Sequence, residues 1–221
     1  PRRENPFLDD ISIFQKRVEH YGILNSLSQV LLKTTAPGIP DFYQGTELWD
    51  LSLVDPDNRR PIDFQLRMRL LAEIQEKMHF DLLECIRELL DTKEDGRIKL
   101  FLTHKLLLVR QEQLRIFQEG TYVPLRVEGE LQENIIAFAR VYNNSWAITI
   151  APRFFTKLVE PDGLPLGEPV WRDTRIPFAE NGFKYWRNSI TEERIEGKDA
   201  LPIGKALEHF PVALLLNEET P

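Results

Sequence analysis

The sequence predicts an α+β protein: early helices around one short strand, a further helical segment, then a C-terminal antiparallel β-sandwich. Three observations carry this. Apolar residues recur at helical spacing from Asp9 to about Lys33, and again from Phe64 to Val109. Pro37, Gly38 and Pro40 interrupt the first of these runs, so a short apolar stretch beyond them, Ile39 to Tyr43, stands alone as a strand candidate. After Gly120 the period changes, with Val123, Leu125 and Val127 alternating against Tyr122, Pro124 and Arg126.

Taken in order, Ile13, Phe14, Val18 and Tyr21 mark one helical face and Leu24, Leu27 and Leu31 another. Tyr21-Gly22 between them predicts a kink or a break, because glycine is a poor helix former. The second part ends near Thr34-Thr35. Asp63 is a plausible N-cap for a helix carrying Phe64, Leu66, Met68, Leu70, Leu71 and Ile74. Two more helices are expected near 80–91 and 98–117, separated by the turn Lys93-Glu94-Asp95-Gly96. In the second half, 135–141 and 146–150 read as strands joined by Tyr142-Asn143-Asn144-Ser145, a hairpin turn. Shorter strands are expected around 175–178, 183–188 and 212–216. Trp146, Trp171 and Trp186 read as packing residues of this part.

Composition narrows the function. The chain has 221 residues, 42% of them hydrophobic, so a packed core is expected and global disorder is not. Net charge is −7 with no basic block, which argues against nucleic acid or an anionic membrane as partner. No apolar run approaches a membrane span. The single cysteine, Cys85, excludes an intrachain disulfide and fits a reducing, cytoplasmic compartment. The four histidines are far apart and form no metal-ligand spacing; no phosphate-binding glycine loop and no nucleophile elbow occur, so no metal and no cofactor is expected. The chain opens at Pro1, not Met, which reads as a fragment or a processed product.

Residues 40–64, PDFYQGTELWDLSLVDPDNRRPIDF, concentrate six carboxylates, two adjacent arginines and several aromatics where neither period is sustained. One reading is an ordered loop held by its own ion pairs, Asp55 or Asp57 with Arg59 or Arg60, around the turn Asp-Pro-Asp-Asn. The other is a sugar site. Carboxylates and amides accept hydroxyl hydrogens, arginine donates to ring and hydroxyl oxygens, and an aromatic face stacks on C–H groups. Tyr43, Gln44, Glu47, Trp49, Asp57, Asn58, Arg59 and Arg60 supply that set. A strand, a long loop and a helix also match one βα unit of a parallel barrel, where binding residues collect at the strand's carboxyl end.

The stretch NSLSQVLLKTTAPGIPDFYQGTELWDLSLVDPDNRRPID, residues 25 to 63, resembles the maltooligosyl trehalose synthases of the α-amylase superfamily. Its Pro-Gly-Ile-Pro-Asp-Phe-Tyr-Gln-Gly-Thr-Glu part is similar to the eighth barrel strand of that superfamily and its loop. Asp-Pro-Asp-Asn-Arg-Arg-Pro is more particular to the trehalose-forming branch. Weaker similarities follow at Phe117-x-x-Gly120-x-Tyr122-x-Pro124-Leu125, Ala137-Phe138-Ala139-Arg140, Trp171-Arg172-Asp173-Thr174 and Trp186-Arg187-Asn188.

The resemblance implies an intramolecular transglucosylation that turns a reducing-end α-1,4 bond of a malto-oligosaccharide into an α,α-1,1 bond by the retaining scheme. It implies that the catalytic carboxylates precede Pro1, so none is assigned here, and that the fragment is inactive alone. It implies 1–78 as the last helix–strand–helix part of a (β/α)8 barrel, 79–118 as a helical segment and 119–221 as the β-sandwich. Substrate-binding roles fall to Tyr43, Gln44, Glu47, Asp57, Asn58, Arg59 and Arg60. The partner is a malto-oligosaccharide together with the missing part of the enzyme. Apolar sides exposed over 23–43 would favour self-association. The alternatives are a carbohydrate-binding or a structural accessory domain of a hydrolytic α-amylase relative.

Overall fold

A computed structural model describes residues 5–178, 183–197 and 199–218. Helix α1, Pro6–Thr35, is one unbroken helix of 30 residues. Pro6 sits in its first turn, where a missing N–H costs nothing, and Pro37 follows its end. The expected break at Tyr21-Gly22 is absent. A Cβ on Gly22 would meet nothing within 4 Å, so no close packing requires a glycine there. The penalty of one glycine, about 1 kcal/mol, is smaller than that of exposing two new helix ends.

The two halves of α1 live in different surroundings. From His20 onward it is embedded, with Tyr21, Ile23, Leu24, Leu27, Val30 and Leu31 buried. Its partners there are α4 (Arg97–Glu112) and β3 (Ser145–Pro152). Ser28 Oγ donates to the Pro152 carbonyl at 2.8 Å and Tyr21 Oη to that of Val159 at 2.9 Å. His20 is buried with both ring nitrogens unpartnered, and burial, then the Lys93 charge, lowers its pKa. Before His20 every described residue of the helix is exposed. The apolar exposure expected over 23–43 is therefore found mainly over Phe7–Val18, with Ile39 and Tyr43 also exposed, because Ile23, Leu24, Leu27, Val30 and Leu31 are core.

Helix α2 (Phe64–Phe80) starts where Asp63 accepts the Leu66 N–H at 2.8 Å, as the cap reading requires. Asp81 ends α2 and caps α3 (Leu82–Asp91), accepting from Glu84 N at 3.0 Å. The single helix expected over 98–117 is two: α4, and α5 (Leu114–Gln118), divided at Gln113.

The remaining strands are β1 (Thr121–Pro124), β2 (Ile135–Tyr142), β4 (Arg175–Pro177), β5 (Tyr185–Asn188), β6 (Arg194–Glu196), β7 (Ala200–Pro202) and β8 (Ala213–Glu218), with short helices α6 (Gly167–Trp171) and α7 (Ile203–Ala206) among them. Six strands form one antiparallel sheet in the order β1-β2-β3-β8-β5-β6; β4 and β7 form a two-stranded ribbon. The period of two sorts side chains between two cores. Ala147, Ala151, Leu214 and Leu216 join the cluster built with α1, α3 and α4. Ile148, Ile150, Ala213 and Leu215 join Trp171, Trp186, Ile176 and Leu201 on the other face. The arrangement differs from a plain two-sheet sandwich in that helices cover one face of the large sheet, because β3 and β8 are apolar on both sides.

Residues 39–43 form no strand. A parallel strand needs a neighbour to take its N–H and C=O groups, and none lies beside it among the described residues. Ile39 is 96% exposed.

Candidate functional site

The loop from Ala36 to Asp63 gets little support from its own backbone and is held by side chains of remote helices. Arg110 on α4 donates to the carbonyls of Thr34 and Gly38, both at 2.6 Å, fixing the loop's origin. Lys33 Nζ lies 3.8 Å from the centroid of Phe42. Gly45 is left-handed at φ +94°, and a Cβ there would come within 2.7 Å of Ile62. Arg67 on α2 gathers the middle: Nε donates to Glu47 Oε2 and Nη2 to the Gly45 carbonyl, both at 2.9 Å.

Trp49 is fixed at its edge and on its face. Nε1 donates to the Lys93 carbonyl at 2.8 Å, and Lys99 Nζ lies 5.4 Å from the ring centroid while donating to Leu48 O at 3.3 Å. The turn before α4 must come close for this. Gly96, at φ +84°, allows it, since a Cβ there would be 2.9 Å from Trp49 N. Burial, then the like charge of Lys33, lowers the Lys99 pKa; Asp50 and Glu47 pull the other way.

Two adjoining clefts open beside this loop. The first, of about 540 Å³, runs between α1 and the loop; Trp49, Asp50, Leu51, Lys99 and Glu94 face Val18 and Glu19. The second, of about 380 Å³, is lined by Ser52, Asp57, Asn58, Arg60 and Ile62. Asp50 and Leu51 belong to both. Asp50 accepts from the Ser52 hydroxyl at 2.6 Å and its N–H at 3.0 Å, which lowers its pKa. Asp57 accepts the Leu53 N–H at 2.7 Å and pairs with Arg60; the backbone bond first, then Arg60, outweigh burial and lower its pKa. Both are acceptors at neutral pH. Asn58 Oδ1 is buried without a partner.

The structure distributes the residues singled out from sequence unequally. Asp57, Asn58 and Arg60 meet in the second cleft. Tyr43 and Gln44 are exposed and line neither cleft. Glu47 is turned toward Arg67. Arg59 pairs with Asp55 and is 70% exposed. The internal ion pairs of the loop-only reading are thus both present, alongside the clefts. Lys99, Glu94 and the α1 residues carried no local signal; folding brings them in from distant positions. Among the described residues no group of three His, Cys, Asp or Glu could hold a metal ion, and no helix is long and apolar enough to cross a membrane.

No family model matches the chain. A curated protein of Mycobacterium tuberculosis, strain H37Rv, named as a candidate maltooligosyl trehalose synthase, is 28% identical over 184 residues. The match covers 81% of this chain and 21% of the relative, and the protein of strain CDC 1551 matches equally, so the chain spans about a fifth of their length. The maltooligosyltrehalose synthase of Arthrobacter ramosus superimposes with a TM-score of 0.75 at 29% identity, over 98% of this chain and 25% of that one. The α-amylase of Geobacillus thermoleovorans, solved with acarbose, shares the fold alone: TM-score 0.54, 15% identity, 90% of this chain and 34% of that one.

Proposed function

This chain is related to the maltooligosyl trehalose synthases, and on that footing we propose that it forms the C-terminal part of an intramolecular transglucosylase acting on malto-oligosaccharides. In this reading residues 1–78 complete a (β/α)8 barrel, 79–118 are a helical spacer and 119–221 a C-terminal β-domain. The nucleophile and the acid/base carboxylate belong to polypeptide outside these 221 residues, and the chain alone turns nothing over. Its contribution is one wall of the sugar pocket. The reaction cleaves the reducing-end α-1,4 bond, holds the freed glucose, and lets its anomeric hydroxyl attack the glycosyl-enzyme in place of water. That step needs a wall that grips a loose sugar by its hydroxyls and excludes water.

The observation that carries the reading is the pair of clefts sharing Asp50, with Trp49 bordering one and Asp57, Asn58 and Arg60 the other. It is an aromatic surface beside ionised acceptors, an amide and a guanidinium, the set a sugar ring requires. Tyr43, Gln44, Glu47 and Arg59 then act at the margin, Glu47 through Arg67.

A chimaera tests this: the chain replaces the corresponding quarter of the Arthrobacter ramosus enzyme. With maltopentaose the chimaera yields a non-reducing product and the isolated chain yields none. Asp57→Ala in the chimaera lowers kcat/KM by about tenfold, the loss of one charged hydrogen bond, and raises the share of released glucose. Unchanged kinetics and product ratio with a lowered melting temperature would assign the loop to scaffolding and reject the pocket.

A further inference from the structure

Two sequence features that the sugar reading does not use, Phe117-x-x-Gly120 and Ala137-Phe138-Ala139-Arg140, fold into one construction. On β2, Ile136 and Tyr142 pack against the helical core and Ala137, Ala139 and Val141 against the other, so the period of two turns Arg140 toward the helices. There it is 3% exposed, and none of its hydrogen-bond partners is a carboxylate. Nη2 donates to the carbonyls of Phe117 at 3.0 Å and Gly120 at 2.8 Å, and Nη1 to that of Thr35 at 3.3 Å. Nε is buried without a partner. Burial, then the like charge of Arg110, lowers the Arg140 pKa. A buried guanidinium is a costly choice for a position that an apolar side chain could fill by packing alone.

What that choice secures is the end of α1. Thr35 is its last residue, and the final carbonyls of a helix carry the negative end of its dipole, which a guanidinium complements. Arg110 takes the neighbouring carbonyls of Thr34 and Gly38, and its guanidinium lies 5.4 Å from the Phe117 ring. Gly120 lets the chain close around Arg140, since a Cβ there would collide with the Ile116 carbonyl. The sheet, the end of α5 and the origin of the 36–63 loop therefore meet at one side chain.

We propose that Arg140 is a positioning residue: it registers α1 and the loop after it against the β-domain, and so sets the width of the first cleft. Its effect on sugar rests on the reading of that cleft given above. Gly22 and Ile23, on the α1 wall of the cleft, lie about 20 Å along the helix from Thr35, and a helix moves as a rod. The facing wall at Trp49 is tied instead to Lys93 and, through Leu48, to Lys99. A shift of α1 along its axis thus alters the cleft without unfolding either wall.

Arg140→Met and Arg140→Lys test this in two settings. Lysine keeps the charge but reaches fewer carbonyls, and it carries the test if the methionine variant does not fold. In the 221-residue chain, which needs no sugar for the measurement, amide exchange over 33–38 accelerates about tenfold in Arg140→Lys, the loss of one charged hydrogen bond, while the β3 amides change less. Equal acceleration in both places makes Arg140 a packing residue of the sheet and overturns the proposal. In the chimaera with the Arthrobacter ramosus enzyme, Arg140→Met lowers kcat/KM for maltopentaose about tenfold, within what a small misplacement costs, and raises the share of released glucose. Arg140→Lys falls between it and the parent. The product share does not depend on how much enzyme is folded, so Ile148→Ala, a core variant, lowers the melting temperature and leaves that share unchanged. An unchanged share in both Arg140 variants overturns the proposal as well. A parent chimaera that makes no non-reducing product counts against the sugar reading instead, and the exchange comparison still decides for or against Arg140.

Discussion

Strand β3 and the loop from Ala36 to Asp63 satisfy their backbones in opposite ways. Every residue of β3 from Ala147 to Pro152 is buried, and the strand is paired with β2 along its whole length and with β8 through its middle. The loop has a few turn bonds of its own, such as Thr46 N–H to the Tyr43 carbonyl and Arg59 N–H to that of Pro56. Its form depends on Arg110, Arg67 and Lys99, reaching in from α2 and α4. The difference separates two tasks. A laddered strand with apolar side chains on both faces sets global stability. A loop clamped at a few points can keep polar groups facing clefts, which a ladder would bury.

Breaking the sheet should have the largest effect. Ile148 is fully buried between β2 and β8, and Ile148→Ala is expected to lose about 2–5 kcal/mol in urea unfolding, from lost transfer energy plus the cavity left behind. Breaking a clamp should act locally. Arg67→Ala is expected to lose about 1–2 kcal/mol, with protease cleavage within 40–62 accelerated more than the melting temperature falls. Equal changes in both would show that loop and core unfold as one unit. The smallest effect belongs to Arg59→Ala, whose partner Asp55 is also largely exposed; its stability should stay within about 0.5 kcal/mol of the parent. A larger loss would mean that this pair holds the loop as the remote cations do.

Legibility in the sequence followed the range of the interactions. The β2–β3 hairpin was readable because alternation and the Asn143-Asn144 turn are local, and Asn143 does take the left-handed conformation at φ +53°. The α2 cap was readable from Asp63 alone. The helix runs on through Gly22 because a single glycine lowers propensity without ending a helix that is otherwise supported. The apolar run at 39–43 suggests a strand, yet a strand exists only through its neighbours. At the site, Asp57, Asn58 and Arg60 could be grouped because they are adjacent in sequence. Glu47 could not be seen to face Arg67 from 20 residues away. Lys99 and Glu94, which close the first cleft, gave no cue beyond the neighbouring glycine.

The sequence by itself determined which stretches are helix and which are strand in most of the chain, where α2 begins, and that acids, guanidiniums and aromatics collect in one loop. Periodicity, capping and turn chemistry act over a few residues, so they are written where they act. Only the tertiary structure decided that half of α1 is core and half is bare, that helices cover one face of the sheet, and that Asp50 stands where two clefts meet. Those outcomes depend on which distant surfaces exclude water from each other, and no window of the sequence contains both surfaces.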